Sequence, residues 1–504
     1  MTTATLPHGT SDPVRTTHFD VIVVGAGLSG IAAAYYLKTR TPKKTFAILE
    51  GRETIGGTWD LFKYPGVRSD SDMHTLGYGF NPWPSDQSIT GAPLILEYIR
   101  STAKRHEIEQ KIKFGHRVVH AAWSSAQQLW RIDARVGPEG TPVKFTANFL
   151  FMCSGYYDYG GGYEPQWAGR EDFKGRFVHP QHWPADLDYA GKRVVIIGSG
   201  ATAVTLAPAM TDLASHVTML QRSPTYIIAR PSTDPISVWA RKRLPERLAG
   251  TFVRWKNVLL GMFFFQMSKK RPDRIKKLIR DGVLAHLGPD YDVDTHFKPA
   301  YNPWDQRVCL VPDGDFFKAI RDGKIDVATD HIDRFTENGI TLKSGRTLQA
   351  DIVVSATGLR IQLMGGMTVD VDGERVDFGK RLNYKGMMYS DVPNLASAFG
   401  YTNASWTLKC ELTAQYVTRL LNYMDAKGFG ACVPRMRDEK MAKIPALDFS
   451  SGYVQRAEGV LPKQGARAPW RLYQNYALDL ASLKFGKLED GSMEFVKAKV
   501  AARV

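Results

Sequence analysis

Short apolar, β-branched runs recur along the chain: Phe19-Asp20-Val21-Ile22-Val23-Val24, Thr45–Leu49, Arg193–Ile197, His216–Leu220 and Asp351–Val354. Each has the length and composition of a buried parallel strand. The first and third run directly into glycine-rich strings, Gly25-x-Gly27-x-x-Gly30 and Gly198-x-Gly200-x-x-Ala203. Helical stretches follow, from Ile31 to Leu37 and from Ala201 onward, and then the next strand. A different period governs residues 241–280, where Leu244, Leu248, Phe252, Trp255, Leu259 and Met262 recur at steps of three or four. That spacing predicts an apolar helical face.

Strand, glycine loop, helix and strand, found twice, predict an α/β chain with two Rossmann-like dinucleotide-binding domains and a helical insertion. Gly25 permits the tight turn, Gly27 lets backbone amides approach a pyrophosphate, and Gly30 lets the helix pack on the strand. The helix start adds free N–H groups and a positive dipole end. The strand Thr45–Leu49 ends in Glu50, roughly 20 residues past the last glycine, where an acid meets ribose hydroxyls and repels a 2′-phosphate. The first loop therefore suits FAD or NAD, and the continuation Gly56-Gly57-Thr58-Trp59 favours FAD. In the second loop, Gly198, Ser199, Gly200, Ala201, Thr202 and Ala203 play the corresponding parts. Its following strand ends in Gln221-Arg222-Ser223, and an Arg there suits a 2′-phosphate, so the second nucleotide is expected to be NADPH.

Length and composition narrow the class. At 504 residues two or three domains are expected, and 43% apolar with 23% charged residues is the make-up of a folded globular protein. The four cysteines, Cys153, Cys309, Cys410 and Cys432, lack CxxC or CxxxxC spacing. That argues for a reducing, cytoplasmic compartment and against both a metal site and a disulfide reductase. The net charge of +15 is concentrated in residues 241–280, with thirteen Lys or Arg against two Asp or Glu. We read this segment as a helical insertion packed on the nucleotide domains with its charged face solvated. The alternative is peripheral contact with an anionic membrane at the inner face of the cell. No nucleic-acid recognition module accompanies the charge.

Between the loops lies Phe173-x-Gly175-x-x-x-His179-x-x-x-Trp183-Pro184. It resembles the fingerprint of the type I Baeyer–Villiger monooxygenases, a family of class B flavoprotein monooxygenases. Related flavin-containing monooxygenases carry Phe or Tyr in place of Trp183. Further stretches resemble the same family: Gly56-Gly57-x-Trp59 with Tyr64-Pro65-Gly66-x-Arg68-x-Asp70, Tyr301 to Cys309, Ser355-Ala356-Thr357-Gly358, and Gly400 to Thr407. The segment Tyr301 to Cys309 is similar to one in the ethionamide-activating branch, which differs here from the cyclic-ketone branch.

The resemblance implies an NADPH- and O₂-dependent enzyme that converts ketones to esters through a C4a-peroxyflavin and also oxygenates sulfides. It implies Arg307 as the active-site arginine and Asp70 as the carboxylate that orients it. Arg68, Ser69 and Asp70 would contact the nicotinamide side, Val118 the FAD adenine, and His179 would act as a hinge or orienting residue. FAD contacts would come from Gly25, Gly27, Ser29, Gly30, Glu50, Thr58, Trp59 and Asp70, and NADP contacts would include Arg222 and Ser223. The implied organisation is a flexible tail over 1–17 and an FAD-binding domain of 18–165 with 361–504. An NADP-binding domain would comprise 166–233 with 300–360, and the insertion 234–299. The competing readings are an S- or N-oxygenase of the flavin-containing type and a nonenzymatic, membrane-associated redox sensor.

Overall fold

The computed structural model describes residues 16–499 apart from 439 and 448. Of the tail expected over 1–17, residues 1–15 lie outside the described residues. Thr16 and Thr17 are already in strand, opposite Lys144 and Phe145, because the long strand Thr141–Met152 offers them backbone partners.

The first nucleotide unit is β1 (Thr16–Val24), α1 (Leu28–Arg40) and β2 (Phe46–Leu49). β1 lies between β2 and the strand Thr141–Met152, parallel to both. The sheet continues through antiparallel Leu129–Val136 and His116–Ser124, and then takes in Thr368–Val371 from the C-terminal third. The second unit repeats the plan with β3 (Arg193–Ile197), α2 (Ala201–Met210) and β4 (His216–Gln221). β3 is flanked by β4 and Ile352–Ser355, with Ile325–Thr329 and Arg176–Val178 at the edges, all parallel. Val194, Val195, Ile196, Val353 and Val354 are buried, as the continuous apolar runs require.

The two loops are geometrically equivalent. Gly25 N–H donates to the Leu49 carbonyl and Gly198 N–H to the Leu220 carbonyl, each at 2.8 Å. Both glycines have positive φ, +103° and +132°, and a Cβ on either would fall 2.5 or 2.4 Å from a carbonyl oxygen of the neighbouring strand end. Only glycine fits there.

The insertion consists mainly of α3 (Pro235–Arg243), α4 (Glu246–Lys270) and α5 (Pro272–Leu287), with prolines marking both joints. The apolar face expected to pack inward does not do so. Leu244 and Met262 are half-buried, but Leu248, Phe252, Trp255 and Leu259 face solvent. α4 is seated instead through Ala249, Val253, Asn257 and Val258. Two ion pairs fix that orientation: Arg254 with Glu411 at 2.6 Å, and Lys256 with Asp234. Glu411 lies in α6 (Trp406–Lys427) and is nearly fully buried. It also accepts from Gly79 N–H at 3.0 Å and from the Tyr36 hydroxyl at 3.1 Å. Removing one partner of such a buried pair costs about 3–5 kcal/mol, so these charges override a periodicity that is neutral about which face turns inward.

Candidate active site

A cavity of about 600 Å³ runs along the ends of the first sheet and reaches the start of α2. That volume is ordinary for a cofactor site. Gly25, Gly27, Ser29, Glu50, Thr58, Trp59, Arg68, Asp70 and Val118 line it, joined by Ala201, Thr202 and Arg307. Gly30 and Ala203 do not. Gly30 sits beneath α1, where a Cβ would lie 1.9 Å from the Gly25 carbonyl oxygen, and Ala203 is fully buried in the packing of α2. The lining fits a flavin dinucleotide. Gly27 and Gly57 face one another so closely that a Cβ on Gly57 would stand 3.2 Å from the Gly27 Cα. Side chains there would fill the space a pyrophosphate needs.

Glu50 is buried at the floor. Its carboxylate accepts the Ala26 N–H at 2.6 Å and the Arg52 N–H at 2.9 Å. Burial pushes its pKa up, and those two N–H groups pull the other way. Glu50→Gln is expected to lower FAD affinity about tenfold, since an amide offers one acceptor where the carboxylate offers two. Flavin fluorescence titration of the stripped protein measures this, and unchanged affinity would remove Glu50 from its assignment.

The second loop opens toward space: a Cβ on Gly200 would meet nothing within 4 Å. The Ser199 hydroxyl donates to the Ser223 carbonyl at 3.2 Å and lies 2.8 Å from Thr225 Oγ1, tying the loop to the segment after β4. Arg222 and Ser223 are exposed there. Arg68 pairs with Asp315 at 2.5 Å, and its Nε is buried with no hydrogen-bond partner. Ser69 is turned away from the cavity. Its N–H donates to the Thr90 carbonyl at 2.9 Å and its Oγ accepts the Thr90 N–H at 3.2 Å. Asp70 and Arg68, its neighbours, face the cavity because side chains alternate along extended backbone.

A second cavity of about 420 Å³ adjoins the first. Its walls include Val258, Leu260, Met262, Phe263 and Phe264 of α4, with Trp304, Val308, Leu310 and Leu408. Asp70, Ser71, Arg307, Tyr401 and Ala404 line both cavities. At this seam Arg307 Nη2 meets Asp70 Oδ2 at 2.8 Å. Burial works against the guanidinium charge, but the Asp70 carboxylate outweighs it, so the pKa rises further. Arg307 follows a tight loop in which Trp304 adopts positive φ, +70°, and Asp305 braces Asn302 by accepting its N–H at 3.1 Å.

Three tyrosines lining the first cavity escaped the sequence reading. Tyr156 and Tyr157 hydroxyls lie 2.5 Å apart just beyond the strand Thr141–Met152, and Tyr453 arrives from the C-terminal third. The position of the first two, at the carboxyl end of a central strand, is the signal that could have found them. Tyr401 lies in the stretch Gly400 to Thr407. Its hydroxyl donates to Asp479 at 2.7 Å, and Asp479 pairs with Lys409 at 2.8 Å.

The fingerprint string packs mainly on the second sheet and reaches the segment leaving the first sheet through Gln181. Phe173 packs on Phe335, and a Cβ on Gly175 would lie 2.4 Å from the Asp351 carbonyl oxygen. Trp183 packs on the core of the second sheet. His179 Nδ1 accepts the Gln181 N–H at 3.2 Å, while its Nε2 is buried with no partner. Burial lowers its pKa, keeping the ring neutral. Gln181 in turn donates to the Asp158 carbonyl at 2.6 Å, on the segment leaving the first sheet.

Residues 19–258 match the family described as pyridine nucleotide-disulphide oxidoreductase. Over 96% of its length the chain is 52% identical to the FAD-containing monooxygenase EthA of Mycobacterium tuberculosis (strain CDC 1551 / Oshkosh), covering 98% of that protein. The chain belongs to the FAD-containing monooxygenases. It is also 47% identical, over 95% of its length and 96% of the relative, to the probable FAD-binding monooxygenase AlmA of Acinetobacter baylyi.

Solved structures share the fold of this monooxygenase. An oxidized steroid monooxygenase bound to NADP superimposes with TM-score 0.72 at 19% identity, covering 95% of this chain and all of the other. The polycyclic ketone monooxygenase of Thermothelomyces thermophila gives 0.74 at 17%, covering 97% and 91%. The expectation of FAD and NADP as the two cofactors agrees with the neighbouring complexes that hold both. The four cysteines are buried and free. Among the described residues no group of three or more His, Cys, Asp or Glu could hold a metal ion.

Proposed function

We propose that this monooxygenase converts ketones to esters, consuming one NADPH, one proton and one O₂ and releasing NADP⁺ and water. The observation that carries the proposal is the Arg307–Asp70 pair at the seam between a cofactor-sized cavity and an apolar one. FAD held along the first cavity would take electrons from NADPH and supply the oxygen-activating chemistry. Arg307 holds a permanent positive charge where the carbonyl oxygen of a ketone in the apolar cavity gains negative charge. Asp70 keeps the guanidinium at the seam. The walls from α4 and Trp304 exclude water around the reacting carbonyl. Arg68 and Asp70 face the nicotinamide side, and Ser69 supports them from behind through Thr90. His179, neutral and clamped, positions the joint between domains.

The same apolar cavity admits sulfides, so sulfoxidation accompanies ester formation. We also place the enzyme in the cytoplasm, in peripheral contact with the inner face of the cell membrane through residues 241–280. The test of the catalytic reading is NADPH- and O₂-dependent turnover of a ketone and sulfide panel by the FAD-loaded enzyme, with products identified by mass spectrometry. Esters one oxygen heavier than their ketones are expected. NADPH consumption that yields only hydrogen peroxide with every ketone and sulfide would overturn it.

A further inference from the structure

α4 is apolar on two sides. One side seats it on the protein; the other carries Leu248, Phe252, Trp255, Leu259 and Phe263, with Leu248, Leu259 and Phe263 60, 58 and 64% exposed. Steps of three and four place these five on one stripe, which extends roughly 22 Å at 1.5 Å per residue. The stripe continues sideways. The Trp239 ring of α3 lies 6.3 Å from that of Phe252, and the Tyr476 ring 5.6 Å from that of Trp255. Exposed apolar surface of this extent marks an interaction site.

Charge is arranged around it in one pattern. From Leu248 to Ser268 the only charged side chains are Arg254 and Lys256, and both turn inward to Glu411 and Asp234. Cations resume at both ends: Lys242, Arg243 and Arg247 before the stripe, and Lys270, Arg271 and Arg274 after it, all exposed and outnumbering Glu246 and Asp273, while Lys269 pairs with Asp305 at 2.7 Å. A helix with an apolar stripe and cationic ends lies flat in the interface of an anionic bilayer, its stripe among the acyl chains and its cations on the headgroups. No helix among the described residues is long and apolar enough to cross a membrane. The stripe also meets the site. Leu260 and Phe263, about 51 and 64% exposed, line the apolar cavity that ends at Arg307.

We propose that the outward face of α3 and α4 docks the enzyme on an anionic lipid bilayer, with the apolar cavity opening at that surface. Apolar ketones dissolved in the bilayer then reach Arg307 without crossing water. The docking half deepens the membrane placement proposed above by naming its surface; the substrate half rests also on the catalytic reading.

Flotation of the FAD-loaded enzyme with vesicles of phosphatidylcholine and phosphatidylglycerol tests docking. The wild-type enzyme is expected to float with them. Binding should fall about tenfold on pure phosphatidylcholine vesicles. It should fall about tenfold also in the variant carrying Leu248→Glu, Phe252→Glu and Leu259→Glu, none of which lines the cavity. That variant should turn over a short, water-soluble ketone at the wild-type rate and lose vesicle stimulation of a long-chain ketone. Wild-type protein that fails to float, or a variant that floats as well, would overturn the proposal. So would a self-associated wild-type protein that the variant renders monomeric while neither binds vesicles, since the face would then hold a second copy. Flotation reads no catalysis. A protein that floats but forms no ester would fail the catalytic reading and leave docking standing.

Discussion

Arg307→Ala is expected to lower ester formation by about 10²–10³-fold in kcat, the range for removing a preorganised donor to a developing oxyanion. NADPH oxidation should continue, with reducing equivalents lost to hydrogen peroxide. The reason is positional. Of the residues lining both cavities, Arg307 alone is cationic, and it is held there by Asp70 at 2.8 Å with three tyrosine hydroxyls around it. Other cations, such as Arg68 and Arg230, each line only one of the two cavities. Arg307→Lys should restore part of the rate but make it fall on the alkaline side, because a desolvated ammonium titrates where a guanidinium does not. Asp70→Asn should lower kcat by about tenfold, since it leaves the charge in place and removes its orienting partner. The measurement is the ratio of ester formed to NADPH consumed. Undiminished ester turnover in Arg307→Ala would remove Arg307 from the chemistry.

How far the sequence carried this reading depends on the range of the interactions. The two nucleotide units were legible because each is built from contiguous residues: a strand, its glycine loop, a helix and the next strand. Their registers, with Gly25 donating to Leu49 and Gly198 to Leu220, follow from that order. The Arg307–Asp70 pair was reached only through family resemblance, as the two are far apart in sequence and no local pattern links them. Tyr453 beside Arg307 was invisible for the same reason. α4 shows a different limit. Periodicity located the apolar face, but it could not say which way the face turns, since that was decided by Arg254 and Lys256 finding buried carboxylates from other segments. Ser69 shows a third. Its neighbours Arg68 and Asp70 reach the cavity, and alternation along the backbone sends the serine to Thr90 instead.

The equivalence of the two loops makes cofactor preference testable at one residue. By register, Gln221 occupies in the second unit the place Glu50 holds in the first. Glu50 points its carboxylate back to the loop amide of Ala26. Gln221 instead donates both to the His296 carbonyl and to Thr329 Oγ1 at 2.8 Å, so its amide is withdrawn and no negative charge stands at the ribose position. Arg222 follows immediately, exposed, on a segment tied to the phosphate loop through Ser199 and Ser223. A charge-assisted contact of guanidinium with phosphate is worth about 1.5–3 kcal/mol. Arg222→Ala is therefore expected to raise the KM for NADPH by about 10–100-fold while changing that for NADH little. Arg222→Lys should fall between, because it keeps the charge and loses the two-pronged geometry. The comparison is made in steady state with the same ketone and both nucleotides. If Arg222→Ala keeps the wild-type ratio of the two KM values, the 2′-phosphate is recognised elsewhere and Arg222 is a solvated surface residue.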